Sequence, residues 1–375
     1  MLMMDAIPKP KSPTIRLKFI TRHICCACFK QYNKKEHLIE HMKNSYHSVH
    51  QPKCVACKKH CKTLESLREH LGGSLAKNNC ALAFANSGCN CCLKMFDSSE
   101  ELDAHRSTCC LTTAVFPGHE KIHVAQGVQL EMMELDDRVP KVVALDCEMV
   151  GCGSDGSLDV CARVCLIDEN EDLIFHSYVK PIIPVTDYRY EKTGISEDHL
   201  VTAMPVEEVQ TKVLEILYNG EESIARLRFD GGKACLLVGH GLNNDLDCLG
   251  INYPDHLIRD TAKYVPLLKT NLVSHSLKYL TRTYLGYEIQ SGVHDPYEDC
   301  VAALRLYKRL RSEEHQSNEE STRSSRFAAF ELKKKNNFEL VSVHELLKKT
   351  SDELLRMSTP NYRCWCLDGV LQIDF

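Results

Sequence analysis

The sequence predicts an α/β domain preceded by a run of small ββα units. Three observations carry that reading. Apolar strand patterns alternate with helical ones from Lys141 to about Arg311. Twelve of the 21 cysteines fall between Cys25 and Cys110. Within that stretch one interval recurs: Cys-x2-Cys, twelve residues, then His.

The 375 residues exceed one typical domain and suggest two folded units plus tails. We read a basic tail over 1–20, cysteine-rich units over 21–111, a linker over 112–140, the α/β domain over 141–311, and a polar linker with a helical tail over 312–375. In that tail Val343, Leu346, Leu347, Leu354 and Leu355 fall at helical spacing, as in an appended surface helix or, alternatively, one docked on a partner or on the α/β domain. No run of eighteen apolar residues occurs, so no membrane span is expected. The N-terminus lacks the pattern of a secretory signal. A reducing compartment is therefore expected, in which the cysteines read as metal ligands or buried thiols rather than disulfides. The net charge of −5 hides an asymmetry, because Lys and Arg outnumber Asp and Glu up to Arg68. A basic leading segment ahead of an acidic remainder suits a nucleic-acid contact at one end and a carboxylate-rich site at the other.

The recurring interval is that of zinc fingers. Cys25 and Cys28 are followed by His41 and His47, with Tyr32 and Leu38 at the apolar positions of a small ββα unit. That spacing lets two loop thiolates and two helix histidines meet at one tetrahedral zinc. His50 competes with His47 as the fourth ligand. In the second copy Cys54, Cys57 and His70 repeat the interval, and Cys80 is the nearest candidate for a fourth ligand, a long excursion away. In the third, Cys89, Cys92 and His105 repeat it, and Cys109 closes the set with Cys110 as rival. Lys30, Lys34, Lys35, Lys43, Lys58, Lys59 and Lys62 cluster on the first two copies, which favours nucleic-acid binding over a purely structural staple. Through its five-residue His41–His47 spacing, the first copy resembles the U1-type and double-stranded-RNA-binding zinc fingers.

In the α/β domain, Lys141–Val150 is an apolar strand with two acids in it. Alternate side chains of a strand share a face, so Asp146 and Glu148 point the same way. Burying two like charges side by side is costly without a cation, and oxygen ligands favour magnesium or manganese. A second apolar strand, Cys235–Gly239, leads to Asp245 at a helix start, where open α/β sheets place ligand groups; a helix cap is the bland alternative for Asp245 or Asp247. In the third segment Asp295 can cap a helix, Pro296 suits its first position and Glu298 completes a capping box. His294 then sits just ahead of the helix and Asp299 in its first turns, an arrangement for a general base beside a metal-facing acid. Asp260 reads as a helix cap or a fifth acid. Cys147 and Cys152 read as core or loop thiols.

Together the three segments resemble the DEDDh exonucleases of the DnaQ-like, ribonuclease-H-fold superfamily, and within it the Rex-type RNA exonucleases that include the interferon-stimulated and apoptosis-enhancing nucleases. The likeness rests on Leu-Asp146-Cys-Glu148-Met-Val-Gly151, Ala-Arg163-Val, Asp187-Tyr-Arg189 with Thr-Gly-Ile195, Val-Gly-His240, Arg-Asp260-Thr and Ser276-Leu-Lys-Tyr-Leu280 leading to Ile-Gln290, and covers about Val142 to Leu310. It implies a ribonuclease-H-like mixed sheet flanked by helices. It implies that Asp146, Glu148, Asp245 and Asp299 hold two Mg2+ or Mn2+ ions, that His294 deprotonates the attacking water, and that Met149 and Arg189 lie against the terminal nucleotide. The expected activity is 3′–5′ exonucleolytic release of nucleoside 5′-monophosphates, from RNA rather than DNA, in the nucleus or nucleolus. Asn244 departs from the histidine that many relatives carry before the third acid, which bears on substrate contacts and not on catalysis. A zinc-finger binding protein with an inactive nuclease fold is the rival reading, and the five filled positions argue against it.

Overall fold

A computed structural model describes residues 22–25, 30–44, 52–74, 76–117, 142–221, 232–312, 341–357 and 365–368. Two units divide the chain: Met1–His47 with Glu331–Pro360, and Ser48–Phe330 with Asn361–Phe375.

The first ββα unit forms as expected. β1 (His23–Ile24) pairs antiparallel with β2 (Gln31–Tyr32), and α1 (Lys35–Asn44) follows. In the second copy a bridge between Lys53 and His60 precedes α2 (Leu64–Gly72), whose first turn is capped by the Thr63 hydroxyl accepting from the Ser66 amide at 3.0 Å. A further helix, α3 (Asn78–Ser87), carries Cys80. In the third copy a bridge between Gly88 and Met95 precedes α4 (Ser99–Cys109), capped by Ser98. These two copies belong to the second unit, together with the α/β domain.

That domain is built on β3 (Val142–Cys152), β4 (Leu158–Ile167), β5 (Leu173–Lys180), β6 (Val185–Asp187), β7 (Met204–Pro205), β8 (Leu236–Gly239) and β9 (Ile258–Asp260). The seven strands run in the order β7-β5-β4-β3-β8-β9, with β6 paired to the end of β3. β3 is antiparallel to β4 and parallel to β8, so the sheet is mixed. A strand paired on both edges and covered on its faces needs a nearly continuous apolar run, which explains Val142–Leu145. The connections include the short α5 (Tyr190–Thr193), α6 (Glu197–Val201) and α9 (Leu277–Leu280). The longer α7 (Val206–Tyr218), α8 (Leu242–Leu249) and α10 (Pro296–Arg311) flank the sheet. Val209, Val213 and Leu217 of α7 and Cys300 to Leu304 of α10 are buried in one core with Val142–Leu145, Val164–Ile167 and Leu236–Val238. The architecture is thus the predicted α/β class, a ribonuclease-H-like mixed sheet flanked by helices.

Gly239 shows how tightly β8 meets β3. A Cβ there would stand 2.9 Å from the Leu145 carbonyl oxygen and 2.4 Å from the Leu242 side chain. The chain then turns through Gly241, at a φ of 79° that glycine adopts freely, to enter α8.

Two segments on either side of the α/β strands pack against neighbouring elements. Leu111 donates its amide to the Leu285 carbonyl at 2.9 Å, and Phe116 is buried in the α/β core. At the other end α11 (Val343–Lys348) and α12 (Ser351–Met357) bury Leu346 and Leu354 against Leu38, Ile39 and Met42 of the first ββα unit. Lys35 Nζ donates to the carbonyls of Leu347, at 2.5 Å, and Lys349. Leu346 and Leu354 of the apolar stripe are therefore covered by α1, while Val343 is exposed; the Leu355 side chain lies outside the described set. Among the described residues no helix is long and apolar enough to cross a membrane.

Candidate active site

β3 puts Asp146 and Glu148 on one face, opposite Cys165 and Arg163 of β4 in the antiparallel register. Asp245 enters from the first turn of α8 and Asp299 from the first turn of α10. α10 starts where expected, with Pro296 at its first position and the Asp295 side chain accepting the Tyr297 amide at 3.2 Å. Glu298, however, does not complete a capping box. Its Oε2 accepts the amide of Gln290 at 3.0 Å, because the preceding loop folds back over the helix start.

Ligand atoms of Glu148, His294 and Asp299 lie within 4.8 Å of one another. Asp146 and Asp245 complete the acidic face. Burial first, then the charges of Asp299, Asp245 and Glu148, hold the Asp146 carboxyl well above its ordinary range. Burial and Asp299 push Glu148 up to about 8, offset in part by Arg163. Asp245 is raised well above its ordinary value, chiefly by burial, and Asp299 is pushed up to about 7 by burial. Such an arrangement fits divalent cations. Four carboxyls, three of them buried and Asp146 half-buried, repel one another, and Asp299 Oδ1 is buried with no hydrogen-bond partner among the described residues, so bound positive charge would satisfy both defects. Oxygen-only donors suit Mg2+ or Mn2+.

His294 is held by its backbone, whose amide donates to the Lys192 carbonyl at 2.6 Å. Partial burial and the charges of Lys192 and Lys278 push its pKa down, so the imidazole is neutral near pH 7 and able to accept a proton. Arg189 lies beyond β6 in the left-handed region at φ 49°, where its guanidinium meets Asp159 at 2.6 Å and the Gly156 carbonyl at 3.1 Å. Met149 is partly exposed on β3 and packs against the core.

Three residues quoted above as parts of motifs take up positions that their motifs do not explain. Gln290 Nε2 donates to Asp299 Oδ2 at 2.7 Å and so orients that carboxylate. Arg163 reaches Asp295 at 3.2 Å and donates from Nε to His176 at 2.8 Å, joining β4 to the start of α10. An arginine inside an apolar strand is a signal that a buried acid is near. Asp260 is not a helix cap of its own helix. Its Oδ1 accepts the amides of Gly241 at 2.8 Å and Ala262 at 2.9 Å, fixing the turn that delivers Asp245.

The structure also gathers two thiol–imidazole sets. Cys54, Cys57, His70 and Cys80 bring their ligand atoms within 4.8 Å, and so do Cys89, Cys92, His105 and Cys109. Each could hold a metal ion. The long excursion to Cys80 is spanned by α3, while Cys110 is exposed and outside the third set. Of the first finger's ligands, Cys25 is buried and His41 lies 5.3 Å from the Tyr32 ring, centroid to centroid. Cys28 and His47 lie outside the described residues, as does His50.

Fold and acid cluster together define the class, an α/β domain with a ribonuclease-H-like mixed sheet and a carboxylate-lined face. Residues 143–307 match the family described as exonuclease, RNase_T. Members of that family normally use Mg2+ or Mn2+. Among curated proteins, the chain is 40% identical over 173 residues to RNA exonuclease 4 of Aspergillus fumigatus, covering 46% of this chain and 51% of that protein. It is 38% identical over 175 residues to RNA exonuclease 4 of Homo sapiens, covering 46% of this chain and 38% of that one. The chain thus spans about half or less of the length of these two relatives. Among solved structures, a Saccharomyces cerevisiae Pan2 pseudoubiquitin hydrolase–RNA exonuclease module in complex with AAGGA RNA aligns at a TM-score of 0.40 and 28% identity, covering 55% of this chain and 35% of that one.

Proposed function

We propose that the chain is a metal-dependent 3′–5′ exoribonuclease that releases nucleoside 5′-monophosphates. The single observation that carries the proposal is the convergence of Asp146, Glu148, Asp245 and Asp299 on one buried face with a neutral histidine beside them. RNA is favoured over DNA because the similar curated proteins are RNA exonucleases.

The four carboxylates would hold two Mg2+ or Mn2+ ions, which when bound supply charge stabilisation at the phosphodiester and activate water. His294 then takes the proton of the attacking water at an imidazole nitrogen that its depressed pKa keeps free. The amide of His294 on the Lys192 carbonyl holds the ring at the mouth of the acid face. Gln290 keeps Asp299 from turning away, and Asp260 keeps α8 in register with β3. Lys192 and Lys278 set positive charge beside His294, where the phosphates of an incoming strand would pass. Met149 and Arg189 are the proposed contacts to the terminal nucleotide.

The thiol–imidazole sets, with Zn2+ bound, are proposed as fingers that stabilise the nuclease and select RNA, and the location is proposed as nuclear or nucleolar. Matched RNA and DNA strands of one sequence, single and double, each labelled at the 3′ end and incubated with Mg2+, test the substrate class. Faster mononucleotide release from RNA supports the reading; equal or faster release from DNA overturns it.

A further inference from the structure

Behind the acid face of β3 lie three thiols that the chemistry above does not use. Cys147 stands between Asp146 and Glu148 in the chain, so the strand's alternation turns it to the opposite face. Cys161 reaches the same place from β4 and Cys248 from α8. All three sulfur atoms lie within 4.8 Å of one another. Cys147 and Cys161 are buried, and the half-buried Cys248 opens the trio towards solvent.

We propose that Cys147, Cys161 and Cys248 form a further metal site, for a thiophilic ion such as Zn2+, with solvent water completing the coordination. Thiolate donors select soft or borderline ions over magnesium. A tetrahedral zinc with sulfurs about 2.3 Å away keeps those sulfurs roughly 3.8 Å apart. Sulfurs already within 4.8 Å of one another therefore need at most a small contraction, not a rearrangement, to take the ion. The thiol protons leave to solvent as the ion binds.

The surroundings favour a cation. Asp159 and Asp247 bear on Cys248, and Asp245 on Cys147 and Cys161. Those carboxylates welcome bound positive charge. The ion would tie β3, β4 and α8 together immediately behind the acids. The Cys147 amide donates to Asp245 Oδ1 at 3.1 Å, and Cys248 Sγ donates to the Asp245 carbonyl at 3.2 Å. Its effect on catalysis rests on the nuclease reading; its occupancy does not.

The test uses the full chain loaded with Zn2+ and dialysed, comparing wild type with Cys161→Ser, Cys248→Ser and Cys248→Ala. Zinc is counted by atomic emission, and circular dichroism identifies the variants that fold. Wild type should hold about one ion per chain more than each folded variant. In wild type, the Cys248 peptide should resist iodoacetamide until a chelator is added. Equal zinc content in wild type and the Cys248 variants overturns the proposal. So does equal alkylation of Cys248 before and after chelation, or recovery of Cys248 in a disulfide. A nuclease assay on the same samples separates the two readings: the expected zinc difference without RNA degradation sinks the nuclease reading and leaves the thiol site standing.

Discussion

Gln290 shows what a single side chain contributes at this site. It donates to Asp299 Oδ2 while the other oxygen of that carboxylate has no hydrogen-bond partner among the described residues. Removing a hydrogen bond to a charged group costs about 1.5–3 kcal/mol. Gln290→Ala should therefore lower kcat/KM roughly tenfold or more, with a higher Mg2+ concentration needed for half-maximal rate; steady-state rates over a Mg2+ titration would show it, and an unchanged titration would contradict the role. The acids themselves make a prediction about pH. Glu148, at about 8, and Asp299, at about 7, both lie above their unfolded values of 4.5 and 3.8. A carboxyl raised by folding stabilises the protein fully below its unfolded pKa, and that stabilisation is lost as pH rises through the folded value. Metal-free protein should therefore lose thermal stability between about pH 5 and pH 8, and Mg2+ should reduce the loss. Melting curves at several pH values, with a chelator and with Mg2+, test this; a midpoint that rises with pH in the chelated protein would refute it.

At the scale of elements, a short helical segment at Trp365–Asp368 belongs to the second unit although it lies far beyond α10 in the chain. Trp365 stacks on Tyr264 with ring centroids 3.7 Å apart. Asp368 pairs with Arg259 through two bonds of 2.7 and 2.8 Å and accepts from the Tyr307 hydroxyl at 3.1 Å. Both partners of the pair are nearly inaccessible, at 3% and 1% side-chain exposure. Removing one member of a buried pair leaves an uncompensated charge and costs about 3–5 kcal/mol. Asp368→Ala should destabilise the second unit by that amount in urea unfolding, whereas Arg259→Met with Asp368→Leu should recover most of it. Sequence alone does not show this latch, because it depends on a contact across 109 residues between a strand and a tail. The docking of α11 on α1 escapes for the same reason, with Lys35 meeting the carbonyl of a residue 312 positions away. The placement of the acids, by contrast, was largely legible. Asp146 and Glu148 follow the period of a strand, and Asp299 follows from the cap at Asp295 and Pro296. What the local pattern lacked was the partner of Glu298, which tertiary folding draws to Gln290.

At the scale of the molecule, the second and third cysteine-rich copies are part of one unit with the α/β domain rather than beads on a string. Glu65 of the second accepts the Thr270 amide at 2.7 Å, and Arg68 stands 5.3 Å over the Tyr284 ring. Arg309 of α10 donates to the Cys109 carbonyl at 2.6 Å and to its sulfur at 3.4 Å. Deleting residues 1–110 should therefore lower the melting midpoint of the remaining second unit by at least about 5 °C and make RNA binding weaker and less salt-sensitive, because the lysines of the first two copies go with it. Calorimetry and binding at two ionic strengths would decide; an unchanged midpoint would make these copies independent modules. The central claim is that the acid face cuts RNA from its 3′ end, and its most direct measurement is the digestion of a 5′-labelled single-stranded RNA with Mg2+ by wild type and by Asp146→Ala. The account predicts a ladder shortening one nucleotide at a time with wild type and intact RNA with the variant. Intact RNA with both proteins, internal cuts, or the same ladder with both would contradict it.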